Sequence, residues 1–239
     1  MQCIKGRRAI AEAIRTETPI DRILMSYNLR ETPEIQDLLA SARSARIKVQ
    51  KVSPDVLAKE GEDSQGLIAY VRNHQINELK YLIDNKEDYP FVVALDHLED
   101  PYNFGAILRS CEQFGVKAVI FPKDRSCQIT PGVIKASAGA LYHLTLIRVV
   151  NIGQALERLK QEHYWIYGTD VETGRPLESF QPNFPMVLVM GNEGRGMATR
   201  TTKICDESVH ITTKGQLDSL NVSVAAGILI HSLSQHLEG

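Results

Sequence analysis

Three short polar stretches hold the residue types that could do chemistry in this 239-residue chain. In the first, Ser219 and Asn221 run straight into a long apolar segment where Val222, Val224, Ala225, Ala226, Ile228, Leu229 and Leu233 recur at helical spacing. Polar side chains and free N–H groups at a helix start either cap the helix or receive a ligand carboxylate, phosphate or developing oxyanion; Asp218 and Ser219 have the residue types of N-caps. In the second, Asn103 opens a helical pattern that carries Arg109 six residues further on. The pair reads either as a cap and a surface ion pair, or as an amide and a phosphate-clamping guanidinium presented together. In the third, Gly191-Asn-Glu-Gly-Arg-Gly196, the glycines let backbone N–H groups approach a ligand closely, while Glu193 serves that site or is a solvated turn residue. This is neither a Walker loop nor a dinucleotide fingerprint, since no G-K-[ST] follows it and G-x-G-x-x-G is absent.

What positions these stretches is an alternation of elements. From Pro90 onward the pattern predicts strands at Phe91–Leu98, Lys117–Phe121, Tyr164–Thr169, Met186–Met190 and Val209–Ile211, with helices at Asn103–Phe114 and Ile152–Gln161 and a final one after Asn221. Such alternation implies an α/β fold with a parallel sheet covered by helices on both faces, whose ligands sit at the carboxyl ends of the strands. All three polar stretches fall at such ends. Residues 1–75 form a separate small α/β pattern: helices at Arg7–Arg15 and Pro33–Ala45, strands at Ile20–Ser26, Ile47–Val52 and Gly66–Val71, and a helical turn after Ser53-Pro54. Between them, Arg72–Tyr89 is charge-rich and reads as a linker holding one helix, so the expected division is 1–75, a linker at 76–89, and 90–239.

Composition narrows the class. With 43% hydrophobic and 23% charged residues the chain is of ordinary globular make-up. Cys3, Cys111, Cys127 and Cys205 lie far apart and the seven histidines lack zinc-ligand spacing, which predicts free thiols in a reducing cytoplasm and no metal. No leading apolar run resembles a signal peptide and no apolar stretch approaches membrane-spanning length, so a cytoplasmic location is expected. The net charge of −2 is uninformative about nucleic acid, because phosphate binding needs a local basic face; residues 1–75 hold 12 Lys+Arg against 10 Asp+Glu.

Taken together, Asn103-Phe-Gly-Ala-Ile-Leu-Arg109, Met190-Gly-Asn-Glu-Gly-Arg-Gly-Met197 and Ser219-Leu-Asn-Val-Ser-Val-Ala-Ala226 resemble, in order and spacing, the three motifs of SpoU/TrmH-like RNA 2′-O-ribose methyltransferases of the SPOUT superfamily. Lys135-Ala-Ser-Ala-Gly-Ala140 is similar to a further segment of that family, and residues 1–75 resemble the small L30e-like substrate-binding domain of its RlmB-like branch. The resemblance implies a C-terminal trefoil knot, a homodimer formed through the C-terminal domain, S-adenosylmethionine as cofactor, and an RNA substrate. That substrate is expected to be a guanosine of large-subunit (23S-type) ribosomal RNA, with a tRNA ribose as the alternative. A homologue that binds RNA without catalysis is the other class; it would have lost polar motif residues, and all five are present here. Gly191, Ile211 and Leu220 are implied to contact the cofactor, with Glu193, Ser219 and Asn221 organising the pocket and Asn103 and Arg109 facing RNA.

Methyl transfer from a sulfonium to a ribose hydroxyl needs in-line approach, help with a weakly acidic proton, and no metal. The resemblance offers Arg109 as base. A neutral guanidine at pH 7 costs roughly 7.5 kcal/mol from a reference pKa of about 12.5, so a phosphate clamp or oxyanion stabiliser stands as the alternative. Two departures from the family pattern stand out: Ile211-Thr212-Thr213 where relatives commonly carry Ile-Pro-Met, and Asp63-Ser64-Gln65-Gly66 where Asn-His-Gln-Gly is common.

Overall fold

The computed structural model describes residues 3–16, 18–59, 64–71, 75–170, 174–192, 196–215 and 219–237, and the chain falls into two units, residues 1–74 and 75–239. The first contains β1 (Cys3–Lys5), α1 (Arg7–Arg15), β2 (Ile20–Ser26), α2 (Pro33–Ser44), β3 (Lys48–Val52), α3 (Pro54–Ala58) and β4 (Leu67–Val71). Its four strands lie in the order β1-β4-β2-β3, with only β2 and β3 parallel. Strand alternation sorts the side chains: Ile23, Met25, Leu67 and Ala69 face Ile10 and Ile35 of the two long helices, whereas Leu24 and Ile68 face Leu57 of α3.

The second unit runs β5 (Ile76–Asn77), α4 (Leu79–Asp84), β6 (Phe91–Leu95), α5 (Pro101–Gln113), β7 (Ala118–Pro122), α6 (Pro131–Ala136), β8 (Thr145–Val149), α7 (Ile152–Gln161), β9 (Trp165–Thr169), β10 (Arg175–Pro176), β11 (Met186–Met190), α8 (Thr199–Ile204), β12 (Glu207–His210) and α9 (Val222–Ser234). All eight strands are parallel, in the order β10-β12-β9-β11-β6-β7-β8-β5. Phe91, Val93 and Leu95 face a core shared with α5 and α9, while Val92 and Ala94 face one shared with α4, α7 and α8. Helices therefore cover both faces, as the alternation implies.

Three expectations are corrected. The stretch 76–89 is not a linker: β5 pairs with β8, and Leu82 of α4 is fully buried in the second core. Scattered aliphatics suffice there because an edge strand and a short helix bury few side chains. Strand β6 ends at Leu95 rather than at residue 98, because Asp96 and His97 turn the chain; His97 has φ +60°, outside any strand conformation. The strand expected at Val209–Ile211 starts at Glu207 instead. No helix among the described residues is long and apolar enough to cross a membrane.

Candidate active site

Helix α5 is capped by Asp100, whose carboxylate accepts the backbone N–H of Asn103 at 2.7 Å, while Pro101 occupies the first turn where a missing N–H does no harm. Asn103 is thus not the cap the sequence suggests, and its side chain makes a tertiary contact instead: its Oδ1 accepts a hydrogen bond from Asn221 Nδ2 at 3.1 Å. Asn221, and not Ser219, is the N-cap of α9; its Oδ1 accepts from the N–H groups of Ser223 and Val224 at 2.9 and 3.3 Å. With Oδ1 committed to the helix, the amide must turn Nδ2 toward Asn103. Asp218, the other expected cap, lies outside the described residues.

The neighbours of Asn221 in sequence, Leu220 and Val222, line a cavity of about 340 Å³. Its other walls are Thr169 at the end of β9 with Asp170 beyond it, Met190 at the end of β11 with Gly191, Asn192 and Gly196 beyond it, and His210 at the end of β12 with Ile211 and Thr213 beyond it, with Ser219, Ala225 and Leu229 closing it. Those strands are neighbours in the sheet, so the cavity sits at adjacent carboxyl ends, where a parallel sheet binds its ligands. The volume falls in the range of a small-molecule site.

The glycine at 191 is required by close approach. A Cβ there would stand 2.4 Å from Gly196 C and 2.4 Å from Met197 N, because the returning limb of the loop crosses directly over it. Asn192 and Gly196 hold that crossing with two backbone hydrogen bonds, at 3.0 and 2.9 Å. Thr212 points elsewhere, its Oγ1 donating to Glu178 Oε2 at 3.1 Å, so of the two threonines that depart from the family pattern only Thr213 faces the cavity.

Of the residues singled out by sequence, Gly191, Ile211, Ser219 and Leu220 line one cavity, and Asn103 and Asn221 are joined. Arg109 lies exposed on α5 outside that lining, and no described residue pairs with it. Glu193 lies outside the described residues. Sequence reasoning missed Thr169, Asp170 and Asp96, although each is a polar residue at the carboxyl end of an apolar strand, the same signal that drew attention to the other stretches. Asp96 falls inside the strand that the apolar pattern predicts, which runs three residues beyond the one that forms.

The thiols offer no nucleophile at this site: burial pushes Cys127 and Cys205 up to about 11 and Cys111 further, so these stay protonated near neutral pH. Among the described residues no group of three or more His, Cys, Asp or Glu is arranged to hold a metal ion.

Residues 90–231 match the SpoU rRNA Methylase family, and residues 3–76 match the family described as RNA 2′-O ribose methyltransferase substrate binding. A protein of Staphylococcus epidermidis named as a TrmH family tRNA/rRNA methyltransferase is 36% identical over 96% of this chain and 94% of its own length. Its counterpart in Staphylococcus aureus is 34% identical over the same shares. Among solved structures, the SpoU methyltransferase AviRb from Streptomyces viridochromogenes, in complex with AdoMet, superposes with TM-score 0.65 at 24% identity, over 99% of this chain and 91% of that one. The A. aeolicus TrmH/SpoU tRNA modifying enzyme superposes with TM-score 0.57 at 28% identity, over 67% and 82%.

Proposed function

The chain belongs to the SpoU rRNA methylase family of RNA methyltransferases, and from that premise we propose that it transfers a methyl group from S-adenosylmethionine to a ribose 2′-hydroxyl of RNA, most specifically to a guanosine of large-subunit ribosomal RNA. The observation that carries this reading is the hydrogen bond between Asn103 and Asn221, which ties two motifs 118 residues apart at the rim of the cavity that Gly191, Ile211 and Leu220 line.

The cavity suits the cofactor: aliphatic walls at Ile211, Leu220, Val222 and Leu229 take an adenine and the methylenes of the methionine chain, and the glycine at 191 leaves backbone groups bare. When bound, S-adenosylmethionine supplies an electrophilic methyl on a sulfonium. The chain's own residues do the rest. Asn103 and Asn221 fix each other's amides, which orients the rim against which a ribose lies, and Ser219 completes it; the role of Glu193 in organising the pocket is carried by the family motif. Arg109, exposed on α5 and outside the cavity lining, meets RNA in this reading, as a phosphate clamp and a stabiliser of the developing alkoxide.

Residues 1–75 serve as the RNA-recruiting domain. Lys5, Arg7 and Arg8 line a cleft of about 730 Å³ at the start of α1, where Gly6 provides no side-chain cap, and Arg7 Nε is buried there without a hydrogen-bond partner. The Arg7 N–H donates to Gln65 Oε1 at 3.4 Å; cationic side chains at a helix start favour phosphate. Homodimerisation through the C-terminal domain is supported by Leu220, Val224 and Ile228, which recur every four residues and stay 39%, 50% and 40% exposed. The C-terminal trefoil knot belongs to this reading as a property of the family, with β12 beside β9 in the sheet and α9 sharing a core with α5. Four free cysteines and an RNA substrate fit the cytoplasm. A tRNA ribose is the second reading, favoured by the name tRNA/rRNA methyltransferase that the relatives carry.

The test is transfer of labelled methyl from S-adenosylmethionine to purified ribosomal RNA and tRNA, followed by alkaline digestion and nucleoside analysis. The expected label is 2′-O-methylguanosine in large-subunit RNA, resistant to alkali. Label on a base, or none on either RNA, overturns the reading; label confined to tRNA selects the second.

A further inference from the structure

The loop that walls the cavity is held from outside it, by a carboxylate that neither the family motifs nor the proposed reaction uses. Asp96 is a charged residue only 1% exposed, at the point where β6 ends. An ionised group withdrawn from water must be matched by donors, and those it finds identify what it holds. Its Oδ2 accepts the backbone N–H of Ala198 at 3.0 Å, on the limb by which the loop after β11 leaves the cavity. Its own N–H donates to Met190 O at 2.8 Å, on the limb by which the loop enters. Its Oδ1 lies 2.5 Å from His97 Nδ1, which must carry the proton toward a carboxylate.

His97 completes the clasp through its backbone. Its left-handed conformation, φ +60°, is an unusual one for a side chain of this size, and there its carbonyl accepts Asn192 Nδ2 at 3.0 Å. Adjacent residues 96 and 97 therefore grip the loop at Met190, Asn192 and Ala198, and the cavity-lining residues Gly191, Asn192 and Gly196 all fall between the outer grips. A Cβ added at Gly191 would stand 2.4 Å from the backbone of both Gly196 and Met197, so this crossing has little slack to absorb a shift.

We infer that Asp96 is a positioning residue for the cofactor site: through Ala198 and His97 it holds the Gly191 loop in the shape that binds S-adenosylmethionine. The inference rests on the reading of that cavity as the cofactor's. Releasing the exit limb leaves a loop that is only fractionally in its binding shape, and the apparent dissociation constant rises by the inverse of that fraction. Substrate RNA affinity, which the loop anchor does not touch, stays as it is.

The experiment compares Asp96→Ala and Asp96→Asn with the unaltered full-length chain by calorimetry with S-adenosylmethionine and by amide hydrogen exchange. Asparagine keeps an oxygen for Ala198 N–H and is expected to bind the cofactor within about threefold of the unaltered protein. Alanine keeps none; cofactor binding is expected to weaken on the order of tenfold or more, with faster exchange at Asn192, Gly196 and Ala198 while β6 and β11 keep their protection. Should Asp96→Ala not fold, Asp96→Ser, too short to reach Ala198, carries the same expectation. Cofactor affinity within about threefold in a folded alanine or serine variant, loss of protection spread through β6 and β11, or an asparagine variant as weak as alanine overturns the assignment. The reading of the cavity fails separately, if S-adenosylmethionine does not slow exchange at Asn192 and Gly196 in the unaltered protein.

Discussion

Arg109 and Asn103 share one helix, six residues and about 9 Å of axial rise apart, yet only Asn103 is tied to the cavity rim. In the proposed reading this guanidinium, exposed and outside the cavity lining, acts on RNA and not on the cofactor. Arg109→Ala is therefore expected to lower kcat/KM for RNA on the order of 100- to 1000-fold, the usual effect of removing one charge-stabilising donor, while calorimetry finds cofactor affinity within about threefold. Loss of cofactor binding in a folded variant would contradict that division. The Asn103–Asn221 pair makes a second expectation. Asn221 also caps α9, a role whose loss alone costs roughly 1 kcal/mol of stability, so single substitutions mix capping with rim geometry. A double-mutant cycle separates them: Asn103→Ala, Asn221→Ala and the pair should be non-additive in kcat/KM, because either single change already breaks the same hydrogen bond. Additive effects would mean the pairing has no bearing on catalysis.

Helix crossing, rather than chemistry, explains the segment Lys135–Ala140. Gly105 of the first motif lies where α5 meets α6; a Cβ there would stand 2.4 Å from Ala136 Cβ and 2.9 Å from both Ser137 N and Val133 O. Overpacking of this kind typically costs about 1–3 kcal/mol, so Gly105→Ala should lower the unfolding free energy by that much in a denaturant titration. Adding Ala136→Gly should recover part of the loss and no more, since the clash with the α6 backbone remains; an unchanged midpoint in the single variant would show that α6 moves aside freely. Periodicity made α9 and β11 legible, because each repeats its apolar pattern over enough residues to define a face. It could not find α6, a six-residue helix, or β8, whose Arg148 is exposed and interrupts the apolar run. It misjudged the start of α5 because Asn103 resembles a cap, although Asp100-Pro101 is the stronger start signal. Likewise the site was legible where glycines and amides cluster, and illegible at Asp96, whose importance comes from a hydrogen bond to a residue 102 positions away in sequence.

How labour is divided between the two units follows from where the chain separates. The boundary lies between His74 and Gln75, not within 76–89, because β5 and α4 belong to the second sheet and its core. A fragment beginning at Gln75 keeps Leu82, Tyr89 and the edge pairing of Ile76 with Leu146, whereas one beginning near residue 88 would leave part of that core bare. The longer fragment contains every cavity-lining residue, so it is expected to fold and to bind S-adenosylmethionine as tightly as the whole chain. It lacks Lys5, Arg7 and Arg8. The salt slope of RNA affinity falls by about one unit for every phosphate that is no longer neutralised, so removing a few such cations weakens binding by orders of magnitude at moderate salt. Measuring kcat/KM of fragment and full chain on ribosomal RNA at two salt concentrations should find the fragment weaker at both, with the shallower salt dependence. Equal kcat/KM at both concentrations, with the fragment folded and cofactor-bound, would remove the first unit from RNA recruitment and leave its basic cleft to some other partner.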